Sequence, residues 1–177
     1  MELREIKTAS ELIYDGVILH VYKDVVTLPN GAPGVRESIR HIGAVGIVAL
    51  TDDGRVLLEH QFRYPVDRVI TEIPAGKLDS KEEDRLAAAQ RELAEETGYT
   101  ARKWTPLGDY TPAAAYSDEI ITLFLAEGLE RGSQHFDDDE FLEVFALPLS
   151  EAAQACLDGT ITDGKTVAGI LRAYYGK

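Results

Sequence analysis

The sequence predicts a mixed α/β or α+β fold organised around one mixed sheet. Three observations carry that expectation. Strand-like segments fill residues 11–63, one helical segment with a charged face follows, and further strands then lead into two closing helices.

Residues 11–28, ELIYDGVILHVYKDVVTL, alternate apolar and polar side chains and are rich in Val, Ile and Tyr, the composition of paired strands. Pro29, Asn30 and Gly31 read as a turn, and residues 35–42 as another strand. GAVGIVAL at 43–50 reads as a buried strand, Asp53-Gly54 as a hairpin turn, and RVLLEHQFR at 55–63 as its partner. The helical segment opens at Ser80-Lys81-Glu82-Glu83. Its S-x-x-E form predicts Ser80 as N-cap, with Glu83 reaching back to it. Leu86, Ala89, Leu93 and Thr97 form a packing stripe, and Gly98 stands where a left-handed C-cap belongs. Strand-like WTPLGDY, EIITLFLAEG and FLEVFALPL follow, the last at 141–149. Helices are expected at 150–158 and 163–175; Asp163 is a possible N-cap for the second, with Val167, Ile170, Leu171 and Tyr174 spaced for packing.

At 177 residues the chain is long enough for a substantial core and reads as one domain, without repeats or a long linker. A formal net charge of −13 argues against non-specific binding to nucleic acid or anionic membrane, because no basic surplus exists to neutralise phosphates. An anionic substrate would therefore need cations placed locally. Cys156 is the one cysteine, which excludes an internal disulfide and fits a reducing, cytoplasmic setting; its helical flanks suggest a buried, inert thiol. The first residues lack the apolar core of a signal peptide, and GAVGIVAL is too short to span a bilayer. His20, His41, His60 and His135 are scattered, with no ligand spacing.

The chemistry concentrates in residues 76–99, GKLDSKEEDRLAAAQRELAEETGY. Glu92, Glu95 and Glu96 are spaced i, i+3 and i+4, so a helix brings them onto neighbouring turns. Like charges at that spacing destabilise an isolated helix by ~0.2–0.5 kcal/mol per pair, so a positive partner is expected. Carboxylate oxygens on a rigid helix suit a hard divalent cation such as Mg²⁺.

In the order Gly76, Glu83, Arg91, Glu92, Leu93, Glu95, Glu96, Gly98 and Tyr99, this segment resembles the Nudix box: a glycine, a glutamate, then Arg-Glu-apolar-x-Glu-Glu-x-Gly-apolar. It carries one extra residue, before the first glutamate if that is Glu83, or after it if that is Glu82. The intact RELAEETGY half favours an extra loop residue. Three further segments, YDGVILHVYKDVVTLPNG with RES and GAV after it, HQFRYP at 60–65 and EIPAGK at 72–77, resemble the ADP-ribose pyrophosphatase branch.

The resemblance implies a Nudix fold, a mixed sheet sandwiched between helices over 41–177, with an N-terminal antiparallel β extension over 1–40. It implies hydrolysis of the pyrophosphate of ADP-ribose to AMP and ribose 5-phosphate, with Mg²⁺ or Mn²⁺ held directly by Glu92, Glu96 and the backbone carbonyl of Ala75, and by Glu95, also a catalytic candidate, directly or through water. Arg91 is expected to pair with Glu83 or another carboxylate. Arg63 of the QFR motif is the first substrate-phosphate contact and Arg36 the second; an ordinary surface ion pair is the alternative for each. Glu119 matches an acid that helps bind substrate in relatives, although Thr111, Pro112 and alanines replace the usual Ser-Pro-Gly before it. The general base is expected in the acidic loop 137–140, Glu140 first and Asp139 next. The branch forms homodimers through N-terminal strands, and Tyr14 and Tyr22 are candidates to stack on the base. The rival readings are another nucleoside diphosphate sugar such as GDP-mannose, a catalytically silent nucleotide-sensing module, and, least favoured by charge, nucleic-acid decapping.

Overall fold

A computed structural model describes residues 2–132 and 141–176, which divide into two compact units. The smaller contains residues 1–42 and 111–120, the larger 43–110 and 121–177.

In the smaller unit, strands β1 (Ile6–Asp15), β2 (His20–Thr27) and β3 (Pro33–Arg40) form an antiparallel sheet in that order. The alternating apolar pattern at 11–28 becomes the β1–β2 hairpin, and the turn at Pro29 to Gly31 closes with the Leu28 amide on the Ala32 carbonyl at 2.8 Å. Arg40 lies over the Tyr22 ring, 3.5 Å from its centroid, and bonds Ser10 and Asp24. The segment 111–120 docks on the end of β3: the Ile39 amide donates to the Tyr116 carbonyl at 2.7 Å, and the His41 amide to Asp118 at 2.7 Å. Every residue of β1 is exposed.

The larger unit holds strands β4 (Ala44–Leu50), β5 (Arg55–Arg63), β6 (Arg68–Glu72), β7 (Ala75–Lys77), β8 (Tyr99–Tyr110), β9 (Ile121–Arg131) and β10 (Leu142–Pro148). Their order is β10-β5-β4-β9-β8, with β6 paired to β5 and β7 to β4. β4 runs parallel to β9, whereas the other pairings in this sheet are antiparallel, so the sheet is mixed as expected. Helices α1 (Arg85–Thr97), α2 (Leu149–Leu157) and α3 (Gly164–Tyr175) complete the unit.

All seven residues of β4 are buried, which explains its unbroken apolar run. Ala44, Val48 and Leu50 join Leu58, Leu123, Leu125, Ala152, Ile170 and others in a core beneath α2 and α3. The intervening Val45, Ile47 and Ala49 point to the opposite face by the strand's period, the side on which α1 contacts β4. The sheet is thus sandwiched between α1 and the α2–α3 pair.

Three sequence expectations need correction. Ser80 does not cap the helix: α1 begins later, with the Asp84 carboxylate accepting from the Ala87 amide at 2.9 Å. Glu83 turns back instead to the Asp79 amide at 2.6 Å, stabilising a turn ahead of the helix. The S-x-x-E pattern was real, but it serves a loop, and the competing aspartate one residue further on takes the cap. Strands β6 and β7 were not foreseen, because their segments are too short for a periodicity. Finally, Glu92 and Glu96, which the sequence leaves along one flank of the Leu86, Ala89, Leu93 and Thr97 stripe, are buried. By contrast, Gly98 ends α1 with φ +71°, the left-handed C-cap that its sequence position predicted, and Asp163 caps α3 by accepting from Thr166.

Candidate active site

The segment Glu72 to Lys77 organises the candidate site. Strand β7 pairs with the start of β4, placing Ala75 opposite Gly46 and Gly76 opposite Val45. That register lays the strand against α1. The Ala75 amide donates to Glu96 Oε2 at 2.9 Å, which holds one acid. Gly76 holds another by close approach: a Cβ there would lie 2.0 Å from Glu92 Cδ. A glycine is required here by the carboxylate above it.

Arg91 supplies the positive charge that the acidic face demands. Its Nη1 donates to Glu92 at 2.8 Å and to Glu95 at 3.0 Å, and Nη2 lies 3.5 Å from Glu83 and 3.8 Å from Asp79. Partial burial opposes its charge, but the neighbouring Glu92 and Glu95 overcome that and raise the guanidinium above its ordinary value. Glu95 is the most exposed of the three acids.

The same face is the candidate divalent-metal site. Among the described residues no group of three acids or histidines is already arranged as a metal cage. The donor chemistry nevertheless fits: the candidate ligands offer only oxygen, on a rigid helix and an adjoining strand. Arg91 Nη1 marks the point between Glu92 and Glu95 where a cation is stabilised. One Glu96 oxygen is held in place by the Ala75 amide.

Three residues N-terminal to Ala75, no more than about 11 Å of extended backbone away, stands a second charged cluster that the sequence did not reveal. Glu72 is 1% exposed. Arg63 grips it side-on, Nε to Oε1 at 2.6 Å and Nη2 to Oε2 at 2.8 Å. Lys165, from the first turn of α3, bonds the same Oε2 and reaches Asp163 at 3.1 Å. Burial opposes ionisation of Glu72, yet the Arg63 bonds and the Lys165 charge together hold its carboxyl below the ordinary range. Glu72 was part of the EIPAGK motif, and an acid flanked by Ile70 and Ile73 was its available signal. Lys165 had none beyond its place two residues after the cap.

Of the sequence-derived candidates, Ala75, Glu92, Glu95 and Glu96 come together in the larger unit, where Arg63 also lies. Arg36 and Glu119 belong to the smaller unit. Arg36 pairs with Glu5 at 2.5 Å, and Glu119 lies 3.7 Å from His41 Nδ1. Tyr14 is exposed on β1, and Tyr22 carries Arg40 on its ring. Asp139 and Glu140, with the rest of the 137–140 loop, lie outside the described residues. Cys156 is buried in α2, and burial, with Asp158 nearby, pushes its thiol up to about 11. No helix among the described residues is long and apolar enough to cross a membrane.

Comparison with known proteins bears on the family and the fold. The chain is 41% identical over 170 residues to the ADP-ribose pyrophosphatase of Bacillus subtilis (strain 168), covering 95% of this chain and 91% of that protein. It is 39% identical over 171 residues to the methanol dehydrogenase activator of Bacillus methanolicus, covering 96% and 91%. A crystal structure of an ADP compounds hydrolase superposes with a TM-score of 0.87 over 98% of this chain and 95% of that one; at 22% identity this speaks for the fold alone. Residues 40–168 match the NUDIX domain. Strand β7, the acid-bearing α1 and the sandwiched mixed sheet are thus the parts of a family architecture, and the chain belongs to the NUDIX domain family.

Proposed function

We propose that the protein is a divalent-metal-dependent hydrolase that splits the pyrophosphate of ADP-ribose into AMP and ribose 5-phosphate. The observation that carries this reading is the convergence of β7 on α1, where Ala75 and Gly76 fix Glu96 and Glu92 beside Arg91. The similarity to a B. subtilis ADP-ribose pyrophosphatase over nearly the whole chain supports the substrate.

Glu92, Glu95, Glu96 and the Ala75 carbonyl would hold Mg²⁺, or Mn²⁺ in its place. Bound there, the ion would neutralise the diphosphate and make water a better nucleophile. The chain's residues do the rest. Gly76 and the Ala75 amide keep two acids from drifting, so little reorganisation is needed during reaction. Arg63 offers a phosphate its Nη1 edge, the one not engaged with Glu72. Arg36 is assigned as a second phosphate contact and Glu119 as a further substrate-binding acid. Glu140, with Asp139 second, is assigned as the base that takes the proton from water while the phosphorus–oxygen bond to the leaving phosphate breaks.

Residues 1–40 are assigned to dimerisation and 41–177 to catalysis. The support is physical: β1 is exposed along its length, and Ile6, Leu12, Ile13 and Tyr14 are among its exposed apolar side chains. A three-stranded sheet needs a covered apolar face to be stable, and a second copy would supply one. Light scattering should give twice the chain mass; a monomer would refute this part. A cytoplasmic setting fits the single buried thiol.

The deciding assay is turnover of ADP-ribose with Mg²⁺, with products identified by mass. AMP and ribose 5-phosphate are expected, and their absence overturns the substrate assignment. Preference for GDP-mannose in a parallel panel would move it to another nucleoside diphosphate sugar. Glu96→Gln keeps an acceptor for the Ala75 amide but removes a charge. It should lower kcat by about 10²–10³-fold without unfolding the protein; unchanged turnover would favour a silent binding module.

A further inference from the structure

Glu72 is a buried acid with no place in the proposed chemistry, and it takes more positive partners than one carboxylate needs. Arg63 binds it through Nε and Nη2, while Lys165 shares Oε2 with Arg63. The arrangement continues into the backbone. The Ile73 amide donates to Thr166 Oγ1 at 2.9 Å, and that hydroxyl donates to Asp163, the cap of α3. The first turn of α3 is therefore bolted to the segment that carries Ala75 and Gly76.

The geometry has two consequences for Arg63. Its side-on pairing fixes the plane of the guanidinium and turns the Nη1 edge away from Glu72. Its charge, however, is opposed by two acids that are both 1% exposed, since Glu59 stands directly across the ladder from Glu72. A fixed arginine neutralised in that way would attract an anion weakly. Lys165, with only 11% of its side chain exposed, is a second cation on Glu72 and offsets part of that opposing charge. Asp163, its other partner, is itself compensated at the start of α3, where it accepts from the Thr166 amide.

We propose that Lys165 is a positioning residue for anion binding: by sharing Glu72 it keeps Arg63 oriented and electrostatically positive, so that Arg63 can hold a substrate phosphate. This rests on the functional reading above, because it requires a diphosphate at Arg63. The role belongs to a lysine on α3, far in sequence from both the QFR and the EIPAGK segments, and Lys165 touches no substrate.

The test is steady-state kinetics with ADP-ribose and Mg²⁺ on wild type, Lys165→Met, Lys165→Gln and Lys165→Arg, with thermal unfolding of each. Lys165→Gln can still donate to Glu72 and serves if Lys165→Met does not fold. Both uncharged variants should raise KM about tenfold, in keeping with loss of one charge-assisted interaction, and keep kcat within about twofold. Lys165→Arg should restore KM to within about threefold of wild type. A lowered melting temperature with unchanged KM would overturn the proposal and leave a structural strut. So would a fall in kcat at constant KM, or loss of folding in both uncharged variants. Failure of the functional reading is separate and visible in the wild type alone, as no turnover of ADP-ribose; the proposal would then fall with it.

Discussion

Gly76→Ala separates folding from chemistry at this site. A Cβ at that position would stand 2.0 Å from Glu92 Cδ, 2.1 Å from Oε1 and 2.2 Å from Oε2. Carbon atoms in contact sit about 3.5–4.0 Å apart, so the carboxylate must retreat by about 1.5–2 Å. What yields is the far end of a flexible side chain, not backbone, and Arg91 can follow it. The stability cost is therefore set at about 1 kcal/mol, a melting shift of about 2–4 °C for a chain this long. The chemical cost is much larger, since a displacement of about 1 Å in a catalytic group can remove a hundredfold in rate. Metal-dependent turnover of ADP-ribose and thermal unfolding should be measured on wild type, Gly76→Ala, Glu92→Gln and the double variant. Gly76→Ala should lose at least about a hundredfold in kcat, and the double variant should be little worse than Glu92→Gln. Full activity in Gly76→Ala would refute the placement of Glu92 at the reacting centre. A collapse of the melting temperature would refute the claim that only a carboxylate has to move.

The remaining expectations are simpler. Asp84→Ala removes the cap of α1 and should cost about 1 kcal/mol in denaturant unfolding, whereas Ser80→Ala should cost less than about 0.5 kcal/mol; equal costs would restore the capping role to Ser80. Glu72 has a folded-state pKa below its ordinary 4.5, so its contribution to stability is present above that pH and is lost as pH falls through the folded value. Acid titration of stability should therefore steepen below about pH 4.5 in wild type and less so in Glu72→Gln. Cys156, whose thiol is pushed up to about 11, should react slowly with a thiol reagent at pH 8 and rapidly once the chain is unfolded; prompt reaction of the folded protein would contradict its burial.

Local sequence information was enough wherever one segment carried its own physics. The buried run of β4, the helix bearing Glu92, Glu95 and Glu96, the C-cap at Gly98 and the cap at Asp163 all follow from periodicity or from a single residue's backbone preference. The choice between Ser80 and Asp84 was not of this kind. Both can cap, and the loop that bonds Glu83 to Asp79 decided between them. Strands β6 and β7 were invisible for a related reason: a short strand is defined by its neighbours, here β5 and β4, and not by its own pattern.

That this chain builds a mixed sheet, and that three acids share one turn-to-turn face of a helix, can be read from the order of its residues, because i, i+3 and i+4 spacing is a property of the helix alone. Which oxygens are held, and by what, depends on contacts between distant segments. Glu96 meets the Ala75 amide and Glu92 meets Gly76 because β7 pairs with β4 in a particular register. Arg63, Glu72 and Lys165 meet because α3 is packed against the segment that follows β6. These contacts join residues as much as 93 positions apart, a separation over which no local pattern in the chain carries information.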